Sequence, residues 1–170
     1  MWGLAREARA VNLGARNLSS EQPMAYWLFK SEPSVFSFER LSKEKSTDWS
    51  GVRNHSAKLN MMAMKLGERG FYYHSNEGKA VVGIVEVSAL YRPDPSDASG
   101  KFGMVDIAAV EPLPRPVTLE EIKAEPKLAQ MALVTNSRLS VQPVTEEEWR
   151  IVCAMGGLSQ RGAKRAKAPV

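Results

Sequence analysis

The sequence predicts an α+β fold: a small, bent, mostly antiparallel β barrel with short helices on its flanks. Three observations predict it. About five strand-like runs fall between residues 24 and 158, separated by short, well-capped helical stretches. Strands and helices do not alternate regularly, which argues against a doubly wound parallel sheet. A long apolar run from Ala80 to Tyr91 is interrupted by Gly83, the residue that permits the bulge or bend by which small barrels curl.

Residues 25–31 contain Tyr26-Trp27-Leu28-Phe29 and read as a strand buried on both faces. Ser37 can cap a helix from Phe38 to about Glu44. Asn54 can cap a second from His55 to about Leu66, with Ala57, Met61 and Met64 on one stripe and Gly67 at its end. Phe71–Ser75 and Ala80–Tyr91 read as strands, and Pro93, Pro95, Ser99 and Gly100 as a loop. Met104–Val110 is a further strand. Thr118-Leu-Glu-Glu121 is a capping box for a short helix, and Pro126 opens another turn. Arg138–Val144 is a last strand. Thr145-Glu-Glu-Glu148 is a second capping box, opening a helix that buries Trp149, Val152 and Cys153. Its first-turn carboxylates suit the positive end of the helix dipole.

With 170 residues, one domain is expected. Its expected bounds are 24–158. Residues 1–23 read as a disordered or mis-called extension and 159–170 as a basic, disordered tail. The formal net charge of +4 comes from the ends. Residues 24–158 hold 16 basic and 17 acidic side chains, whereas Arg161, Lys164, Arg165 and Lys167 make the tail basic. A protein that coats a duplex shows a basic stripe on the fold itself. This pattern argues against strong binding driven by phosphate charge alone and leaves room for recognition of one nucleotide or one small molecule. No run approaches the roughly 18 apolar residues of a membrane span. With one cysteine, Cys153, no internal disulfide is possible.

Familiar catalytic and cofactor motifs are missing. His55, His74 and Cys153 have no metal-ligand spacing, so no metal is expected. Neither GxxxxGK[ST] nor GxGxxG occurs, and no GxSxG elbow, so no cofactor is expected either. His74 and Ser75 are neighbours on a strand and point to opposite faces, which prevents their pairing as base and nucleophile.

Four islands place polar residues beside aromatics at strand ends. They are Trp27 with Lys30-Ser31-Glu32, the run Asp48-Trp49-Ser50-Gly51-Val52-Arg53-Asn54, then Tyr73-His74-Ser75 following Tyr72, and Arg138 with Ser140 and Gln142. Each has an ordinary structural reading. Trp27 is a core residue, Asn54 a helix cap, Arg53 the partner of a carboxylate such as Glu32, and His74 a satisfied interior histidine.

Together, WLFKSEP, DWSGVRNHSA, FYYHSN, VVGIVEV, PLPRPVTLEEIKA, MALV and RLSVQPVTEEEW resemble an EVE domain, a member of the PUA-like superfamily, over about 24–158. The resemblance implies a PUA-like pseudo-barrel with a cleft, related to YTH, ASCH and PUA domains. It also implies a binding module that reads a modified base such as modified cytosine in DNA or RNA. In YTH relatives a Lys-Ser pair after the first strand and a Trp after the next helix line the base pocket. Lys30, Ser31 and Trp49 are the matching positions.

The residue types suit that task. Trp49 would supply the stacking face, with Tyr73 or Trp27 as a second wall. Ser31, Asn54 and Ser75 can donate and accept at a base edge, and Glu32 can accept from an exocyclic amine. Arg53 or Lys30 can hold a flanking phosphate. Arg138 and Ser140 are further candidates. The expected activity is therefore non-catalytic binding of nucleic acid. The alternative is a small hydrolase acting on a nucleotide or small molecule in the same cleft, with Glu32 or His74 as base. A third reading is a structural or partner-binding protein. The expected compartment is the cytoplasm with access to the nucleoid in a bacterium, or the nucleus or mitochondrion in a eukaryote.

Overall fold

In the computed structural model, residues 24–158 are described; the expected extension at 1–23 and the expected basic tail at 159–170 lie outside the described residues. The chain runs β1 (Tyr26–Ser31), α1 (Phe38–Glu44), β2 (Ser46–Asp48), α2 (His55–Ala63), β3 (Arg69–His74), β4 (Ala80–Pro93), β5 (Gly103–Thr118), α3 (Leu119–Ala124), a 3₁₀ turn (Pro126–Leu128), α4 (Ala132–Thr135), β6 (Val141–Val144) and α5 (Glu146–Met155). The six strands form one sheet in the order β2-β5-β4-β3-β1-β6. Only β1 and β3 run parallel, with Leu28 opposite Phe71; the other pairs are antiparallel.

The α+β, mostly antiparallel architecture is as expected. The sheet, however, does not close into a barrel. Its edges are β2, three residues long, and β6, four residues long. Curvature comes from β4 and β5, whose pairing shifts register between Val81 and Gly83 and again at Ile84/Val85, Val87/Ala89 and Ala89/Arg92. Gly83 marks a close approach as well as a bend: a Cβ there would come within 2.4 Å of the Phe38 ring, which α1 lays on the strand.

The sheet carries a core on each face. Trp27 and Phe29 of β1 and Tyr72 of β3 join Phe38, Leu41, Ala57, Met61, Val105 and Ile107 beneath α1 and α2. Leu28, Phe71 and Tyr73 point to the other face, with Ile122, Leu128, Met131, Trp149 and Val152 from the C-terminal helices. Burial on both faces thus follows from the period-2 alternation of β1 and β3. Ser37, Asn54, Thr118 and Thr145 cap their helices as expected, the last two in full capping boxes.

Several boundaries differ from expectation for physical reasons. Helix α2 stops at Ala63 and not near Leu66, because Glu68 turns its carboxylate back to take the Lys65 amide at 2.8 Å. β5 runs on to Thr118 through Pro112, Pro114 and Pro116. These lie exposed while Leu113 and Val117 face the core, at a stretch where pairing with β4 skips from Gly83 to Val81. β6 begins only at Val141, because Gln142 donates from Nε2 to the carbonyls of Leu139 and Asn136 and folds 138–140 into a turn. β2 and α4 were not anticipated. No helix among the described residues is long and apolar enough to cross a membrane.

Candidate functional site

Because the sheet stays open, a cavity of about 420 Å³ lies between its two edges. It is lined by Lys30 and Ser31 at the end of β1, Val35 and Phe36 before α1, Thr47 and Asp48 of β2, the loop Trp49–Arg53, and Ser140 just before β6. Its volume is in the range of ordinary small-ligand sites.

Trp49 is half-buried and is fixed from two sides. Its amide donates to the Val105 carbonyl at 2.7 Å, which continues the β2–β5 pairing. Phe29 and Tyr72 meet its ring at centroid distances of 5.5 and 5.8 Å and angles of 76° and 80°. Neither aromatic neighbour lies flat against the indole.

Ser31 lines the same cavity, and its hydroxyl has only a long 3.5 Å contact with the Glu32 carbonyl and a hydrogen bond to Tyr72. Tyr72 donates to the Phe36 carbonyl at 2.5 Å. Burial pushes its phenol up to about 12, with a smaller opposing effect from Ser31. Lys30 spans the wall, donating to the Ser137 carbonyl at 2.6 Å with its Nζ 5.9 Å from the Tyr73 ring centroid. Desolvation lowers its pKa, so an anion beside it would relieve a real cost.

The opposite rim is built on Asp94, whose carboxylate is wholly buried. It accepts from the Ser96 hydroxyl and amide at 2.6 and 2.7 Å, the Gly51 amide at 2.8 Å and Arg53 Nη1 at 3.1 Å. These bonds, the Ser96 hydroxyl foremost, hold its pKa far below the usual carboxylate range. Gly51 sits at φ +82, a left-handed conformation that favours glycine and lets its amide turn toward Asp94. Asp97 repeats the arrangement: bonds from the Ser99 hydroxyl and the Phe102 amide lower its pKa to about 2.

Of the twelve residues nominated from sequence, Lys30, Ser31, Trp49, Arg53 and Ser140 converge on the cavity. The other seven do not line it. Trp27 is buried, with its indole N–H donated to Glu68 at 3.1 Å. Tyr73 is buried in the opposite core, and burial raises its pKa. His74 accepts from the Phe38 amide at 3.1 Å through Nε2, and desolvation lowers its pKa. Asn54 spends its side-chain oxygen on the Ala57 amide. Ser75 donates its amide to Ser31, while Glu32 and Arg138 are exposed. Arg53 pairs with Asp94 and not with Glu32.

Two structural determinants went unread. Glu68, 3% exposed, ties down the Ala25 amide, the Trp27 indole and the Lys65 amide. Asp94 organises the rim, and Phe102 lies beside it under Arg53. The triplets Asp94-Pro95-Ser96 and Asp97-Ala98-Ser99 carried a usable signal, since aspartate two residues before serine favours a side-chain-closed turn. Among the described residues no group of three or more His, Cys, Asp or Glu side chains could hold a metal.

The EVE domain family profile matches residues 25–155. A crystal structure of a protein from Agrobacterium tumefaciens is 54% identical, covers 86% of this chain and 99% of that one, and superposes with a TM-score of 0.78. Thymocyte nuclear protein 1 of Homo sapiens is 33% identical over 82% of this chain and 75% of its own length. The crystal structure of human THYN1 protein in complex with 5-methylcytosine-containing DNA is also similar. It is 33% identical, covers 79% of this chain and 99% of that one, and has a TM-score of 0.73. The chain therefore belongs to the EVE domain family.

Proposed function

We propose that this protein is a non-catalytic DNA-binding module that admits one extruded base, a modified cytosine, into the cavity beside Trp49. The observation that carries the reading is a half-buried indole in a cavity of about 420 Å³ with no aromatic ring flat against it. A base leaves its stack before a pocket can read it. An aromatic face then restores roughly 1–3 kcal/mol of stacking per base. The Ser31 hydroxyl offers both a donor and an acceptor to the base edge, and Lys30 and Arg53 bring positive charge to opposite rims. The choice of DNA and of a methylated cytosine is supported by the ligand of the related human protein.

A methyl group contributes only about 0.8 kcal/mol of burial, a roughly fourfold preference. A larger preference requires a polar contact that the wrong base leaves unpaired; Ser31 and the backbone around Trp49 are the groups positioned for it. Neither candidate base for a hydrolase lines the cavity: Glu32 is exposed, and the Nε2 lone pair of His74 is engaged by the Phe38 amide.

The test is a binding comparison between two oligonucleotides that differ in a single 5-methylcytosine, at one fixed salt concentration. The modified strand is expected to bind at least about fourfold more tightly. Trp49→Ala is expected to erase the difference while the protein still melts cooperatively. Equal, weak binding of both strands by the wild-type protein would refute the reading.

A further inference from the structure

A second cluster adjoins the cavity through Arg53. Three nitrogen-bearing side chains gather on one ring: the Arg53 guanidinium carbon lies 5.7 Å from the Phe102 centroid, Lys58 Nζ lies 5.7 Å from it, and the His55 imidazole packs at 5.2 Å with a 40° tilt. Two cations that share one aromatic ring repel each other. A single cation–π contact is worth only about a twofold to fivefold population bias at an exposed site, so the ring does not remove that repulsion.

The nearby carboxylates offset Arg53 but not Lys58. Asp94 is buried and takes backbone and hydroxyl donors as well as Arg53, and Asp97 turns its oxygens to Ser99 and the Phe102 amide. Both carboxylates anchor the loop that presents Phe102. Arg53 is thus partly offset, yet its side chain keeps 40% of its exposure. Lys58 makes no ion pair with any described carboxylate. The arrangement is a set of N–H donors gathered on an aromatic anchor, with Arg53 and His55 exposed, Lys58 half-buried, and one of the two cations, Arg53, paired to a carboxylate.

We propose that Arg53, His55 and Lys58, gathered on Phe102, form a phosphate-binding track for the DNA strand beside the cavity, holding the backbone next to the bound base. This inference rests on the reading of the cavity as a base pocket. Phosphate contacts of this kind fix register and carry no sequence information. The track therefore sets affinity, while the cavity sets selectivity.

The experiment measures binding of the modified and unmodified oligonucleotides across a salt series, for wild type, Lys58→Gln and Lys58→Arg. Each neutralised phosphate adds about 0.7 to the slope of log K against log salt for a single strand and about 0.9 for a duplex. Lys58→Gln is expected to reduce the slope by about that amount. It should also weaken both oligonucleotides by a common factor, on the order of three- to tenfold, without changing the ratio between them. Lys58→Arg is expected to restore the slope. An unchanged slope in a folded Lys58→Gln protein overturns the track even where the methyl preference persists. A wild-type protein that binds DNA with a Lys58-dependent slope but no preference for the modified base upholds the track and refutes the base pocket.

Discussion

Trp149 and Trp49 occupy opposite faces of one sheet, and the protein treats them differently. Trp149 is sandwiched, with Tyr26 at 4.4 Å and 16° on one neighbour's side and Phe71 at 4.2 Å and 21° on the other's. It is 2% exposed, and its flat-lying partners belong to the protein itself. Trp49 meets its two aromatic neighbours steeply and stays half-exposed. The first arrangement fills a core; the second holds an indole rigid while leaving room for a stacking partner from outside. What separates them is the sheet. The C-terminal helices pack over Trp149's face, whereas β2 and β6 fail to meet and leave the cavity between them.

Substitutions test that contrast, beginning with the largest effect. Trp149→Ala is expected to cost about 3–5 kcal/mol of stability, since it empties a stacked core position; chemical denaturation measures it. Asp94→Asn is expected to cost roughly 1.5–3 kcal/mol, the range for hydrogen bonds to a charged group, and to slacken the rim that holds Gly51 and Arg53. The depressed pKa of Asp94 adds a pH signature. Its contribution is fully present above the unfolded-state aspartate value near 4 and is lost as pH falls through the lower folded value. Acid titration of stability should therefore flatten below about pH 4 in Asp94→Asn relative to wild type.

Trp49→Ala should sharpen the contrast from the other side. It is expected to lower binding of the modified strand by about 1–3 kcal/mol with a smaller loss of stability than Trp149→Ala, as denaturation and binding titrations on one preparation would reveal. Ser31→Ala should have the smallest effect, about 0.5–1.5 kcal/mol, confined to the ratio of modified to plain base. A comparable fall in melting temperature would reassign Ser31 to the Tyr72 hydrogen-bond network alone.

The same contrast explains how much could be read in the sequence. Caps at Ser37, Asn54, Thr118 and Thr145 were legible because each is settled within four residues. The two-sided burial of β1 was legible because Tyr26-Trp27-Leu28-Phe29 has no polar alternate. β2 was not, since three exposed or half-exposed residues carry no period; it exists because Ser46–Asp48 finds Asp106–Ala108 far along the chain. Within the candidate site, Trp49, Ser31, Lys30, Arg53 and Ser140 line one cavity, whereas Trp27 and Tyr73, offered as its walls, lie in the cores. A tryptophan on a strand does not reveal its face; the deciding partner, Glu68, lies 41 residues away. His74 likewise looked available until α1 delivered the Phe38 amide to it.

The most direct measurement follows the indole N–H signals of Trp27, Trp49 and Trp149 in an NMR titration with an oligonucleotide bearing one 5-methylcytosine, assigned through single Trp→Phe variants. The Trp49 signal is expected to shift in step with binding, while those of Trp27 and Trp149, held in the two cores, stay in place. A bound complex in which Trp49 does not move would contradict the claim that its uncovered face receives the base.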